Sequence, residues 1–223
     1  MEKLVYVLFG PVSVAPEALA RELEAHGARA IAVNVSDAHV AAKLGSRITR
    51  LEPTLGAVVS FWLESALERG ALERTLRGVS EKLAGYSVLE SVALANTTHT
   101  AAKSQRTPGI NMIACIAPKQ GQPLDAWLEH WLEEHRRVAL ETQATYAYVR
   151  NVVLRALTPE APPWRGIVEE GFPAEAVGDP LAWYKAGGSR ELLLANLGRM
   201  IASCQKFLDL ERVESHPMSE YRF

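Results

Sequence analysis

The chain has 223 residues, 48% hydrophobic and 22% charged, with a formal net charge of −2 and a pI near 6.3. That is enough apolar material for one large domain or two small ones, and too little positive charge to argue for nucleic acid or an acidic membrane surface. Cys115 and Cys204 lie in apolar surroundings with no CxxC pair, which disfavours thiol-bound zinc or a redox couple and points to a reducing cytoplasm.

Residues 3–9 (KLVYVLF) are rich in β-formers and stop at Gly10-Pro11, so they read as a strand. The same run is too short for a signal peptide, and no run approaches the ~20 apolar residues of a membrane span. Pro16 to Gly27 reads as a helix with Leu19 and Leu23 inward; ARAIAVNVS and LGAVVSFWL read as the next two strands. Glu64 to Ala84 is expected to be one long helix carrying Leu67, Leu72, Leu76, Val79 and Leu83, followed by the strand YSVLESVAL.

The second half follows the same order. INMIACIAP is a strand, and residues 123–143 are a helix. TYAYVRNVVLRAL and RGIVEEGFP are strands, and Leu193, Leu197, Met200, Cys204 and Phe207 mark another helix. LERVESH is the closing strand. The expected units are therefore residues 1–96 and 109–223, joined by a polar linker over 97–108. Each unit reads β-α-β-β-α-β, the ferredoxin-like pattern. A four-stranded sheet with both helices on one side leaves its other side in need of cover. The expected fold is thus α+β: two ferredoxin-like units packing sheet on sheet into a pseudo-symmetric α/β barrel.

Several stretches, in order, resemble the EthD-domain proteins of the dimeric α/β-barrel superfamily, in their longer two-unit bacterial form. They are RTPGI (106–110), WLEEHRRVALETQATYAYVRNVV (131–153), GIVEEGFP (166–173) and SCQKFLDLERVESHPMSEYRF (203–223). The W-x3-H element at Trp131 and His135, followed by Tyr148 to Asn151, is the most recognisable piece. The resemblance implies a neighbourhood of ether or aromatic degradation and polyketide tailoring, with cofactor-free dehydratases, monooxygenases and cyclases among related barrels. The opening helix of the first half has Leu19, Leu23 and His26 but no tryptophan, so a site like that of the second half is not expected twice.

Leu124, Leu128, Trp131, His135 and Val138 are spaced four, three, four and three, which puts a titratable ring in a row of apolar anchors. His135 is either a packing histidine or a general acid–base group; no i, i+4 partner of ligand type accompanies it, so no metal is expected. His130 is expected on the wet side. Trp127 reads as core, and Trp131 as core or as the wall of an apolar pocket. On TYAYVRNVV, Tyr148 and Arg150 share a face. If the aliphatic face meets the helices, these two look into the barrel, where they would hold a carbonyl or carboxylate. Glu169 and Glu170 are adjacent on a strand and must point to opposite sides; the inward one is expected either to pair with Arg150 or to act as a base. Glu214 and His216 lie two apart on one face and make a candidate acid–imidazole pair. Ser189 is a candidate N-cap after the loop Tyr184–Gly188.

No GxGxxG, Walker loop, GxSxG elbow or HExxH is present, and no cofactor is expected. The leading expectation is a cofactor-independent dehydratase, cyclase or oxygenase acting on a small apolar oxygenated or aromatic molecule bound inside the barrel. His135 would move a proton, and Trp131, Tyr148, Arg150 and Glu169 would bind the ligand. A non-catalytic binding or accessory protein of an oxidative degradation pathway is the alternative. A homodimer joined through exposed sheet edges, with the barrel filled by its own side chains, is a third reading.

Overall fold

The computed structural model describes residues 1–41 and 47–223. The first half runs β1 (Glu2–Phe9), α1 (Pro16–Ala25), β2 (Arg29–Val35), α2 (Ala38–Ala41), β3 (Leu55–Leu63), α3 (Gly70–Arg77) and β4 (Lys82–Leu94). The second half runs β5 (Ile110–Ile116), α4 (Leu124–Glu129), a π-helical turn (His130–His135), α5 (Arg136–Thr142), β6 (Ala147–Ala156), β7 (Gly166–Phe172), α6 (Pro180–Trp183), α7 (Arg190–Phe207) and β8 (Glu214–Arg222).

All eight strands close into one antiparallel barrel in the order β1-β3-β2-β8-β5-β7-β6-β4. Within it, β4-β1-β3-β2 and β8-β5-β7-β6 are two sheets of the same strand order, one from each half. They join along β4–β6 and β2–β8, so neither sheet keeps a free edge. The α+β barrel expected from the sequence is the architecture the chain adopts.

Closure makes both faces of nearly every strand hydrophobic. Leu4, Tyr6 and Leu8 of β1 face outward onto Leu19, Leu23, Leu72 and Leu76 of α1 and α3. Val5, Val7 and Phe9 face inward and meet Val58, Ile113, Val153, Ile167 and Met218 in the lumen. On the far side, Ile116, Tyr148, Val152 and Val168 face outward under Trp127, Trp131, Met200 and Phe207. Residues 97–108 lie over one mouth of the barrel. The N–H groups of Ser104 and Thr107 donate to the carbonyls of Arg222 and Glu220, each at 2.8 Å, and the His99 ring stacks on Tyr146.

Two elements differ from their sequence reading. The expected helix over 64–84 is only α3, preceded by a 3-10 turn over Ala66–Glu68 that Ser65 caps. Leu67 is 83% exposed, while Leu83 is fully buried in β4. The helical spacing of Leu76, Val79 and Leu83 is coincidental: from Lys82 the chain pairs with β1 on one side, and with β6 on the other from Tyr86, and pairing on two edges outweighs local propensity. The closing strand begins at Glu214, four residues later than expected, and runs through Arg222. Pro217 sits inside it without breaking the ladder. Ser215 exchanges backbone hydrogen bonds with Ile48, on the side away from β5, and pairing with β2 starts only at Ser219. The N–H that Pro217 lacks would fall in that gap.

The lumen core should be costly to hollow out. Ile113→Ala removes a fully buried side chain at its centre and is expected to lower the unfolding free energy by about 2–5 kcal/mol. Urea denaturation reads this directly, and a loss below about 1 kcal/mol would mean the lumen is not close-packed there.

Candidate functional site

The rod from Leu124 to Thr142 covers the outer face of the second sheet, but not with the expected stripe. Trp127, Trp131, Ala139 and Thr142 are buried, and Leu124 is 47% exposed. The cause is the π-helical turn over His130–His135. In an α-helix two residues five apart are separated by ~140° around the axis; the wider π turn brings the second back near the azimuth of the first. His130 is thus not on the wet side. His130 Nε2 lies 3.3 Å and His135 Nδ1 lies 3.0 Å from the same hydroxyl, Ser203 Oγ on α7. Both imidazoles also pack on Phe207. Burial, aided by the nearby His130 and Arg150, lowers the His135 pKa to about 4, so the ring is neutral at pH 7.

Between this rod, α7 and the outer sheet face lies a cavity of about 780 Å3. Trp131, His135, Tyr148, Glu170, Met200 and Phe207 line it, with Met112, Ala114 and Val168 forming the sheet floor. The segment 173–184 forms one wall: Trp183 stacks on Phe172 with ring centroids 3.7 Å apart, and Asn196 Nδ2 donates to the Tyr184 carbonyl at 2.7 Å. Ser189 caps α7 as expected, its Oγ accepting from Leu192 N at 3.1 Å. Trp131 lies so close to Gly166 that a Cβ there would come within 2.5 Å of its indole, so only glycine lets the ring reach the sheet.

Glu170 is the group the sequence reading did not place. It sits across from Tyr148 on β6 and Met112 on β5, on the helix side of the sheet. Its Oε1 is buried and has no hydrogen-bond partner among the described residues. Burial pushes its carboxyl up to about 8. Tyr148, 2% exposed, is raised by burial and by the Glu170 charge, against the opposing pull of Arg150 and a hydrogen bond with Trp131.

Other expected site residues are arranged differently. Tyr148 and Arg150 face the helices and not the lumen; the inward face of β6 is Ala147, Val149, Asn151 and Val153. Tyr148 therefore joins the cavity from outside the barrel. Arg150 does not line it. Its Nη1 donates to the Leu132 carbonyl in the π turn at 2.6 Å and its Nη2 to Ser91 Oγ at 2.7 Å, which pins the rod to the barrel. Glu169 lies on the opposite face of β7 from Glu170. It accepts from Lys3 Nζ at 3.3 Å and Asn151 Nδ2 at 2.9 Å, not from Arg150, and Lys3 lowers its pKa against the upward push of burial. Glu214 and His216 do pair, at 2.7 Å, buried on the lumen face of β8; His216 and Glu169 flank Ile113 from the two neighbouring strands, and neither Glu214 nor His216 lines the outer cavity. Among the described residues no three His, Cys, Asp or Glu side chains converge as a metal site would require.

In the first half the corresponding outer face is packed by Leu4, Tyr6 and Phe61 against α1 and α3, and the Tyr6 hydroxyl donates to Glu73 at 3.0 Å. Ser203 and Glu170 were open to detection: Ser203 lies four before Phe207 on the buried stripe of α7, and Glu170 had to face one side of the sheet. The π turn leaves no mark in the hydrophobic spacing.

No family model matches the sequence, and no curated protein is similar enough to count as a relative. Among solved structures, an anthrone oxidase-like protein superposes with a TM-score of 0.54 at 12% identity, covering 99% of this chain and 93% of that one. The fold is that of the dimeric α/β barrels. A provisionally assigned monooxygenase from Lactobacillus acidophilus (TM-score 0.48, 10% identity, 99% and 93% covered) and a provisionally assigned chlorite dismutase (0.45, 9%, 100% and 94%) are more distant. At such identities a dimeric α/β-barrel likeness speaks for the fold alone.

The Glu170 environment has a signature in stability. A carboxyl near 8 when folded and near 4.5 when unfolded holds its proton more tightly in the native state. Its contribution is complete below the unfolded value and is lost as pH rises through 8. Between those values the wild type should lose stability relative to Glu170→Gln, read as diverging urea midpoints. The His135 shift has the opposite sign, between 6.5 and about 4, and is common to both proteins. Parallel curves would show that Glu170 is not desolvated.

Proposed function

We propose that the chain binds a small, largely apolar oxygenated or aromatic molecule in the outer cavity of its second half and moves a proton on it. The observation that carries this is Glu170: a carboxyl with an unpartnered oxygen, in an apolar cavity of about 780 Å3, tuned to about 8. A group with that pKa exchanges protons readily near neutral pH. Trp131, Met112, Val168, Met200 and Phe207 offer the apolar cradle, and the Tyr148 phenol, beside Glu170, offers a donor to the substrate oxygen.

In this reading the carboxylate of Glu170 takes a proton from a carbon next to a carbonyl, or from a phenol. Tyr148 steadies the enolate or phenolate that results. Dehydration, cyclisation and oxygenation share that first step. His135, neutral and bonded to Ser203, with His130 on the same hydroxyl, forms a line along which a proton passes from the cavity toward the outside. Arg150 and Glu169 do not line this cavity and take no part in this site. Kinship with the EthD proteins and the division into units 1–96 and 109–223 belong to the same proposal. The name of the anthrone oxidase-like neighbour fits an aromatic, oxygenated ligand. The non-catalytic alternative shares the cavity and differs in leaving Glu170 idle.

Anthrone in deuterated buffer separates these readings, because exchange at its methylene group reports proton abstraction whatever follows. The wild type should accelerate exchange, increasingly as pH approaches 8. Glu170→Gln should bind anthrone, by tryptophan quenching, yet lose about 10²–10⁴ of the acceleration. Ala114→Phe, which fills the floor, should abolish both. Binding with no Glu170-dependent exchange would favour the non-catalytic reading.

A further inference from the structure

The inside of the barrel holds a second cavity, of about 350 Å3, which the outer site does not use. It opens at the mouth covered by residues 97–108, and seven of the eight strands contribute to it. Its polar lining is charged: Lys3, Glu90, Glu169 and Arg222, with Ser60 beside them. Its apolar lining is Trp62, Val92, Leu94, Val149 and several alanines.

The charges there do not balance. Lys3 Nζ is held between Glu90 and Glu169. Arg222 Nη2 is held by Glu220 Oε1 at 2.6 Å, and the other Glu220 oxygen accepts from Thr107 Oγ1 at 2.8 Å. Glu90, Glu169 and Glu220 thus face Lys3 and Arg222, three carboxylates against two cations. Arg106, in the segment over the same mouth, directs its Nη1 to the carbonyls of Thr107 and Gly109. Glu169, Glu220 and Lys3 are each 5–6% exposed, while the Glu90 and Arg222 side chains reach the mouth at 26% and 58% exposed; a surplus carboxylate among such buried charges is costly.

A second, independent feature has the same sign. Asn151 is fully buried on the lumen face of β6, paired with Ile167 and one step deeper than Val149, which faces Glu169 and lines the cavity. Its Nδ2 donates to Glu169 Oε1 and to the Ile167 carbonyl, which fixes the amide's orientation. Its Oδ1 is then an acceptor with no partner among the described residues. An excess carboxylate, an idle acceptor and an indole wall all complement N–H donors on a positive charge, and aromatic faces attract ammonium groups. The geometry points to the barrel mouth as a binding site for a small organic ammonium ion, its charged head at Glu90 and Glu169 and its short apolar tail along Trp62, Val92, Leu94 and Val149. The site is independent of the outer cavity: Glu169 and Glu170, neighbours in sequence, would serve two ligands of different chemistry on opposite faces of one sheet.

Calorimetric titration with n-butylammonium chloride, n-butanol and sodium butyrate tests it on the intact chain. The ammonium ion should bind saturably, at least about tenfold more tightly than the isosteric alcohol or the anion. Glu90→Gln removes the excess charge yet leaves Lys3 its bond to Glu169, and should weaken ammonium binding by about tenfold or more with the far-UV spectrum and thermal midpoint retained. Trp62→Leu, which leaves the ion network intact, should weaken it as well and stands in should Glu90→Gln fail to fold. No saturable binding, equal binding of alcohol and ammonium ion, or folded variants that bind as the wild type does would each overturn the proposal.

Discussion

Closing eight strands on themselves gives every strand side chain only two destinations, the lumen or the helix layer, and neighbours in sequence must take opposite ones. That constraint governs the chemistry of this protein. On β7 it sends Glu169 inward to Lys3 and Asn151, and Glu170 outward beneath Trp131 and beside Tyr148. The two carboxyls share a backbone and almost nothing else. One is surrounded by donors and held ionised; the other lies in a largely apolar cavity and is held neutral until about pH 8.

The outer cavity exists because the helix layer over the second sheet does not close down on it. The π turn swings His130 and His135 together onto Ser203, and Arg150 reaches out from β6 to the carbonyl of Leu132 in that same turn. Gly166 lets Trp131 touch the sheet at one end, while Trp183, stacked on Phe172, props the other. Between these two supports the layer is held away from Met112, Ala114 and Val168. Over the first sheet no such supports occur among the described residues, and Leu4, Tyr6 and Phe61 pack directly against α1 and α3.

Much of this could be read from the sequence, for physical reasons. Runs such as LGAVVSFWL and INMIACIAP mark strands because β-branched side chains bounded by Gly and Pro suit little else, and their order forced the barrel. The facing of β6 could not be read in the same way. Alternation tells the two faces apart only when one is wet, and in a closed barrel both Val149 and Val152 are at least partly buried. Taking the aliphatic face as the helix face therefore misdirected Tyr148 and Arg150. The helix stripe through Leu124 and Leu128 failed differently: a period of 3.6 residues was assumed across a turn with a longer one. Leu83 misled because a strand paired on both edges tolerates any apolar pattern, including a helical one.

The adjacent carboxyls on β7 offer the most direct test. With the glutamate side chains carbon-13 labelled, and Glu169→Gln and Glu170→Gln used for assignment, the carboxyl resonances can be followed by NMR from acid to alkaline pH. Glu170 should titrate near 8 and Glu169 below the ordinary value of 4.5. If both titrate together near 4.5, the two residues share one solvent, and neither the alternation across the barrel wall nor the outer cavity is as described.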